Sequence, residues 1–264
     1  AQASALEPVG VDATLGPGYA ARRSPPLLLL VVGESARAQN WGLNGYARQT
    51  TPALARWQEA GDLVNFSQVS ACGTNTHVSV PCMFSPLTRE RGGDQAAVHE
   101  NLLDVLQRAG LAVLWLDNQA GCKGVCARVP GVRMLDEPVA GLCDAGECFD
   151  EAMLDGLDRR IAALDPERRA RGVVVVMHQM GSHGPAYFKR TPADRKPFQP
   201  ECTSNMLADC PAEHVINAYD NTIAATDRFL DLALTWLKGR ADSGANDTAL
   251  LYVSDHGESL GEGG

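Results

Sequence analysis

The amino-acid sequence predicts an α/β domain in which helices cover both faces of a mostly parallel central sheet. Four short runs of apolar residues are typical of strands buried in a parallel sheet. Helical segments lie between these runs, which is the alternation expected of this fold class. The four predicted strands are Leu27–Val32, Leu111–Leu116, Val173–Met177 and Leu250–Val253.

Three helices are predicted between these strands. The first spans Thr51–Glu59 and begins with a threonine cap followed by a proline, a favoured helix start. The second spans Asn101–Arg108. The third and clearest spans His214–Lys238, where apolar residues recur mostly three or four positions apart. Gly239 follows it directly and is expected to end it.

Length and composition indicate one large domain. The chain has 264 residues, of which 45% are hydrophobic and 21% charged, as in ordinary globular proteins. We expect an arm or linker rich in Ala, Gly and Pro over residues 1–25 and the domain over residues 26–264. The net charge of −9 argues against nucleic-acid binding, because it provides no global basic field. The longest apolar run, Leu27–Val32, is far shorter than the ~20 residues of a membrane-spanning helix.

The eight cysteines fall into four pairs of close neighbours. None has the C-x-x-C spacing of a zinc knuckle or a redox site, so we predict four local disulfides formed in an oxidising compartment. The alternative is a set of reduced core cysteines in a cytosolic protein. The predicted pairs are Cys72 with Cys82, Cys122 with Cys126, Cys143 with Cys148, and Cys202 with Cys210.

Polar residues follow each predicted strand, where sites of open α/β sheets lie. Glu34, Asp255 and His256 offer two carboxylates and an imidazole, which are ligand types of zinc or a related divalent metal. The alternatives are a capping or surface glutamate and a hydrogen-bonded Asp-His pair. The candidate segments are Gly33-Glu34-Ser35, Asp117-Asn118, His178-Gln179 leading to Ser182-His183, and Ser254-Asp255-His256.

The segment between Cys72 and Cys82 contains two threonines and two serines. A hydroxyl held where a loop meets a helix would have backbone N–H groups nearby, which suits a phosphate and its developing charge. A bound metal could activate such a hydroxyl as a nucleophile. The alternative is a threonine that only caps a helix.

Several strings together resemble the periplasmic catalytic domain of the lipid A phosphoethanolamine transferases. This family includes the mobile colistin-resistance enzymes and belongs to the alkaline phosphatase/sulfatase superfamily, so the resemblance implies that fold. It covers nearly the whole chain after the first 25 or so residues. The strings are VVGESARAQNWGLNGYARQTTP, ACGTNTHVSVPCMFS, DNQAGCKGVC, MGSHGPAYFKRTP and YVSDHGESLGE.

The resemblance implies a zinc centre with a threonine nucleophile. Thr76 would become phosphoethanolaminated, and it would ligate the zinc together with Glu34, Asp255 and His256. One zinc would be firmly held, with a second ion near His183 left open. The family carries a further histidine shortly after the SDHGESLGE string, and this chain ends before it, so we expect a domain truncated at its C-terminus.

The resemblance also implies the residues around the donor phosphate and its ethanolamine. Thr74, Lys123 and His183 would surround that group, and His183 and Lys123 would assist catalysis. Gln119 stands where relatives often have Asn. We expect it to contact the substrate, and the resemblance alone does not decide whether the longer side chain keeps that contact.

The implied reaction moves phosphoethanolamine from phosphatidylethanolamine to a lipid A phosphate through a covalent phospho-threonine, and it confers polymyxin resistance. We expect a monomer at the periplasmic face of the Gram-negative inner membrane, attached through a transmembrane domain that this chain lacks. A sulfatase is disfavoured because the C-x-P-x-R context of its modified cysteine is absent. A phosphoglycerol-type transferase and a binding-only fragment remain alternatives.

Overall fold

The computed structural model describes residues 6–92, 98–144 and 146–262. A five-stranded sheet forms the centre in the order β3-β2-β6-β1-β7, and every neighbouring pair is parallel. Two short antiparallel strands, β4 and β5, form a separate hairpin. The strands are β1 Pro26–Gly33, β2 Ala112–Asp117, β3 Gly131–Arg133, β4 Cys143–Asp144, β5 Glu147–Cys148, β6 Val173–His178 and β7 Asp247–Ser254.

Helices pack against both faces of this sheet. One face carries the alternate β1 residues Leu29 and Val31 and packs on the long helix α7; the other carries Leu30 and Val32 and packs on α2 and α4. This two-sided burial explains why the strands are nearly continuous apolar runs. The α-helices are α1 Pro52–Glu59, α2 Thr76–Phe84, α3 Arg89–Gly92, α4 Leu102–Arg108, α5 Leu157–Ala162, α6 Pro166–Arg171 and α7 Ala212–Asp242. The predicted fold class is confirmed.

The prediction that Gly239 ends the long helix is wrong. Helix α7 continues to Asp242, because a single glycine costs a helix interior only about 1 kcal/mol. The left-handed residue that closes the helix is Gly244, with φ 74°, and its N–H donates to the Ala241 carbonyl. Arg240 holds the last turn by donating to Asn246 Oδ1 and Asp158 Oδ1.

Three further details of the sequence prediction differ from the structure. Thr51 precedes α1 but makes no side-chain cap; the carboxylate of Asp227 on α7 instead accepts hydrogen bonds from the Ala53 and Leu54 N–H groups. Strand β7 is an edge strand of the described sheet rather than a buried one, and Leu251 is 48% exposed. Strand β3 was not predicted, because its three residues are too short for a periodicity signal.

All four predicted disulfides are present, joining Cys72 to Cys82, Cys122 to Cys126, Cys143 to Cys148, and Cys202 to Cys210. The predicted arm is described from residue 6 onward, and its first five residues lie outside the described part. In it, Pro17–Ala21 forms a short 3-10 helix and Glu7 pairs with His99. Within the described ranges, no helix is both long and apolar enough to cross a membrane.

Candidate metal centre

Glu34, Asp255 and His256 converge at the carboxyl end of the sheet. Glu34 follows β1, and the other two residues follow β7, which pairs with β1 through Gly33 and Ser254. One ligand atom from each residue lies within 4.8 Å of the other two. His256 Nε2 lies 3.3 Å from Glu34 Oε1 and 3.6 Å from Asp255 Oδ2. The parallel pairing of β1 with β7 therefore joins residues more than 220 positions apart.

The two carboxylates sit in unequal surroundings. Burial raises the pKa of Glu34, but hydrogen bonds from His256, Ser35 and Thr76 outweigh that effect and hold its pKa at about 2. Burial and the adjacent Glu34 charge raise the pKa of Asp255 to about 6. Burial lowers the pKa of His256, yet its contacts with Glu34, Gly257 and Asp255 raise it to about 9. The cluster is therefore an acidic pocket that holds a proton on its imidazole.

These donors fit a divalent metal ion. Asp255 Oδ1 accepts hydrogen bonds from the Ser35 and His256 N–H groups, at 3.1 and 2.7 Å. Asp255 Oδ2 is buried and has no hydrogen-bond partner in the described part of the chain. A buried polar oxygen without a partner is costly, and a cation beside it would remove that cost. Two carboxylates and one imidazole are a ligand set that zinc accepts.

Thr76 joins this centre from the start of helix α2. Its hydroxyl donates to Glu34 Oε2 at 2.9 Å. The helix cap is the preceding residue, Asn75, whose side chain accepts from the Val78 N–H. The alternative that the threonine is only a cap is therefore wrong for Thr76. Its hydroxyl points at a candidate metal ligand, and the Cys72–Cys82 disulfide ties the preceding loop back to α2.

Gln119 also reaches the centre, from the loop after β2. Its Nε2 donates to Glu34 Oε2 at 2.9 Å, and its Oε1 accepts from the Ala120 N–H. Lys123 lies farther along the same loop in a left-handed conformation with φ 52°. Its ammonium donates to the Ala120 carbonyl at 3.0 Å.

Two predicted substrate residues lie at the rim of the centre. Thr74 and His183 are exposed, and within the described ranges neither side chain makes a hydrogen bond. His183 nevertheless follows Ser182, whose N–H donates to the Glu34 carbonyl at 2.9 Å. The structure thus links Glu34, Thr76, Gln119, Asp255 and His256 by hydrogen bonds and ion pairs. Among the described residues, the side chains of Thr74, Lys123 and His183 make no hydrogen bond or ion pair to these five.

Asp117 and His178, two of the remaining candidates at strand ends, hold a loop of the centre in place. His178 is fully buried, and its Nδ1 pairs with Asp117 Oδ1 at 3.0 Å. Asp117 Oδ2 accepts from the Gly121 N–H, which fixes the loop that carries Gln119. These residues hold a loop in place and are not part of the candidate ligand cluster.

Asp150 is a residue that supports the loops around the centre and that the sequence did not indicate. Its two oxygens accept hydrogen bonds from the Met180 N–H, the Gly181 N–H and the Asn118 side chain, and burial raises its pKa. It therefore joins the loop after β2 to the loop that carries His183. Nothing in the local sequence marks Asp150, because its partners are 30 or more residues away.

Comparison with known proteins places this chain in a known family. The sulfatase family model matches residues 26–264, so the chain belongs to the sulfatase family. The curated relatives include phosphoethanolamine transferase EptA of Escherichia coli (strain K12), which is 43% identical over 257 residues; the match covers 97% of this chain and 45% of the relative. The chain thus spans a little under half the length of that relative.

Two solved structures of lipooligosaccharide phosphoethanolamine transferase A from Neisseria meningitidis are similar to this chain. One is the integral membrane protein and the other its soluble domain; both are 40% identical, with TM-scores of 0.88 over 98% of this chain. The chain covers 46% of the membrane protein and 75% of the soluble domain. The resemblance to phosphoethanolamine transferases is therefore confirmed, and it lies in their soluble part.

Proposed function

We propose that the chain is the catalytic part of a phosphoethanolamine transferase that acts on lipid A. Thr76 is the nucleophile, and the group passes from phosphatidylethanolamine to a lipid A phosphate in two displacements. The observation that carries the proposal is the hydrogen bond from the Thr76 hydroxyl to Glu34 at 2.9 Å, inside a cluster of three metal-binding side chains.

In the first displacement, Thr76 Oγ forms a bond to the donor phosphorus and the bond from phosphorus to the diacylglycerol oxygen breaks. The Thr76 hydroxyl is oriented by its hydrogen bond to Glu34 Oε2 and releases its proton to water, while the departing oxygen takes a proton from His183. In the second, an oxygen of the lipid A phosphate attacks the phosphorus. Thr76 Oγ leaves and regains its proton, and His183 is reprotonated from solvent.

The centre suits one zinc ion held by Glu34, Asp255, His256 and the Thr76 oxygen. When bound, zinc would supply Lewis-acid stabilisation of phosphoryl charge and a lower pKa for a coordinated hydroxyl. The orphaned Asp255 Oδ2 supports a cation here. A second ion near His183 is a further part of this proposal.

The rim residues complete the proposed substrate site. Thr74 and His183 are exposed, Lys123 is half-buried, and all three would turn toward a phosphate, Lys123 by giving up its hydrogen bond to the Ala120 carbonyl. Lys123 would neutralise phosphoryl oxygens, as cations do in phosphoryl transfer. Gln119 would hold Glu34 in place and offer its amide to the donor.

We further propose the setting in which this part works. Residues 1–25 would connect the domain, residues 26–264, to a transmembrane domain, and the enzyme would act as a monomer at the periplasmic face of the inner membrane. The disulfides support an oxidising compartment. Modified lipid A would carry less negative charge and so confer polymyxin resistance.

The test is a transfer assay with the full-length protein in vesicles that contain phosphatidylethanolamine and lipid A. Wild type should form a covalent adduct on the peptide that contains Thr76, detected by mass spectrometry, and should yield modified lipid A. Thr76→Ala should lose both, whereas Thr76→Ser should retain the adduct. Transfer by Thr76→Ala at the wild-type rate would refute the nucleophile.

A parallel assay with phosphatidylglycerol as donor separates the alternative phosphoglycerol-type activity. The chain of residues 1–264 assayed beside the full-length protein tests the alternative of a binding-only fragment. Zinc binding without adduct formation by the shorter chain would support that alternative.

A further inference from the structure

Ser35 occupies an unusual position beside the candidate metal centre. It is 2% exposed and has a φ of 53°, a left-handed conformation that non-glycine residues rarely adopt. Such a conformation persists only where the surroundings enforce it. The contacts of Ser35 therefore need an explanation beyond local preference.

Each polar group of Ser35 makes a hydrogen bond within or behind the centre. Its N–H donates to Asp255 Oδ1 at 3.1 Å, and its hydroxyl donates to Glu34 Oε1 at 2.7 Å. One residue thereby holds both candidate carboxylate ligands, which come from different strands. The left-handed turn is what allows the N–H and the hydroxyl to serve both carboxylates.

Tyr219 on helix α7 fixes Ser35 from behind. Its hydroxyl donates to the Ser35 carbonyl at 2.5 Å and accepts from the Arg37 N–H at 2.9 Å. The ring is fully buried and packs edge-on against Tyr187, with centroids 5.3 Å apart. Burial raises the pKa of Tyr219, so its hydroxyl stays protonated and able to donate.

We propose that Ser35 and Tyr219 are positioning residues that preorganise the two carboxylates for a divalent cation. Ser35 orients Glu34 through its hydroxyl and Asp255 through its N–H, and Tyr219 holds the turn that makes both contacts possible. This inference rests on the proposed metal centre. Hydrogen bonds to ligating side chains commonly contribute about 10–100-fold to metal affinity.

The experiment measures the dissociation constant for Zn²⁺ by competition with a chromophoric chelator, using the chain of residues 1–264. Ser35→Ala removes the hydroxyl and keeps the N–H, so we expect zinc affinity to fall roughly tenfold. Tyr219→Phe should weaken zinc binding by a smaller factor. Ser35→Thr restores a hydroxyl and should recover affinity, although a β-branched residue in the left-handed region should lower the melting temperature.

Tyr46→Phe is the matched control. It removes a tyrosine hydroxyl that donates to Asp220 Oδ2 at 2.9 Å, outside the centre, so it should destabilise the fold and leave zinc affinity unchanged. Wild-type zinc affinity in both Ser35→Ala and Tyr219→Phe would overturn the inference. If wild type itself binds no zinc, the proposed metal centre is refuted. If wild type binds zinc and both variants bind it with the same affinity, only the positioning role is refuted.

Discussion

At the scale of single residues, the candidate metal centre brings two buried carboxylates close together, an arrangement that a cation would stabilise. Asp255 is buried beside Glu34 and keeps one oxygen without a hydrogen-bond partner. Its pKa is raised to about 6, so the metal-free fold loses stability as the pH rises from the ordinary value of 3.8 toward 6. The same charge pair becomes favourable once a divalent cation lies between the carboxylates.

The first prediction concerns Asp255→Asn, which replaces the carboxyl group of raised pKa by a neutral amide. The metal-free variant should be more stable than metal-free wild type at pH 7, by about 1–3 kcal/mol, because burial and the adjacent Glu34 charge disfavour the Asp255 carboxylate. In excess zinc the order should reverse. Urea unfolding in EDTA and in zinc measures both differences, and lower stability of the variant in EDTA would contradict the prediction.

At the scale of elements, loops are joined to the site by carboxylates that lie far away in the sequence. Asp150 receives three N–H donors with its two oxygens and so links the loops that carry Gln119 and His183. Helix α4 is held in a similar way. Asn101 and Asp104 form a capping box at its start, and Arg128 binds Asp104 with two nitrogens at 2.6 Å each.

The second prediction is that Asp150→Asn destabilises the fold by about 1–3 kcal/mol. The amide keeps one acceptor oxygen for three donors, so at least one buried N–H loses its partner. Transfer by the full-length protein should fall as well, since both rim loops loosen. Asp155→Asn, at an exposed aspartate, is the control for urea unfolding and should match wild type; equal stability of both variants would count against this link.

The third prediction concerns acid sensitivity of α4. Burial raises the pKa of Asp104, but the Arg128 and Asn101 contacts outweigh burial and lower it below 3.8. The charged Asp104 therefore contributes to the free energy of unfolding above pH 3.8, and this contribution is lost as the pH falls through the lowered pKa. Asp104→Asn should cost about 1–2 kcal/mol at neutral pH and less at pH 3, measured by urea unfolding. A cost that does not change with pH would argue against the charged contact.

At the scale of the whole molecule, a parallel sheet with two covered faces follows directly from the sequence. The runs around Leu29 and Val175 are apolar because both faces of their strands are buried, and this makes central strands easy to predict. The edge strand β7 and the three-residue β3 are harder, since half-exposed or short strands carry weak patterns. The end of α7 depended on the Arg240 contacts, which no local pattern records.

The part of the candidate site that follows strand ends could be predicted from the sequence. Glu34, Asp255 and His256 follow strands, and parallel pairing brings them together. Family resemblance added Thr76 and Gln119, which contact Glu34. The hydrogen bond of Tyr219 to Ser35 could not be predicted, because it spans 184 positions and no sequence period encodes such a contact.

The fourth prediction is that zinc removal lowers the melting temperature. Free zinc at about 100 times its dissociation constant adds about 2.7 kcal/mol, and each kcal/mol shifts the midpoint of a domain of this size by about 2–4 °C. EDTA should therefore lower the midpoint by about 5–10 °C in differential scanning calorimetry. Asp255→Asn should show no such shift, and a wild-type midpoint unaffected by EDTA would contradict a resident metal.

The pairing of β1 with β7 has a consequence for synthesis of the chain. Glu34 emerges early, but Asp255 and His256 follow some 220 residues later, and no local contact can assemble the cluster before then. Closing so long a loop is slow, so the cluster waits on a long-range pairing. A nascent chain that ends before β7 presents only one of the three clustered ligands, and the candidate metal centre is assembled only once β7 has paired with β1.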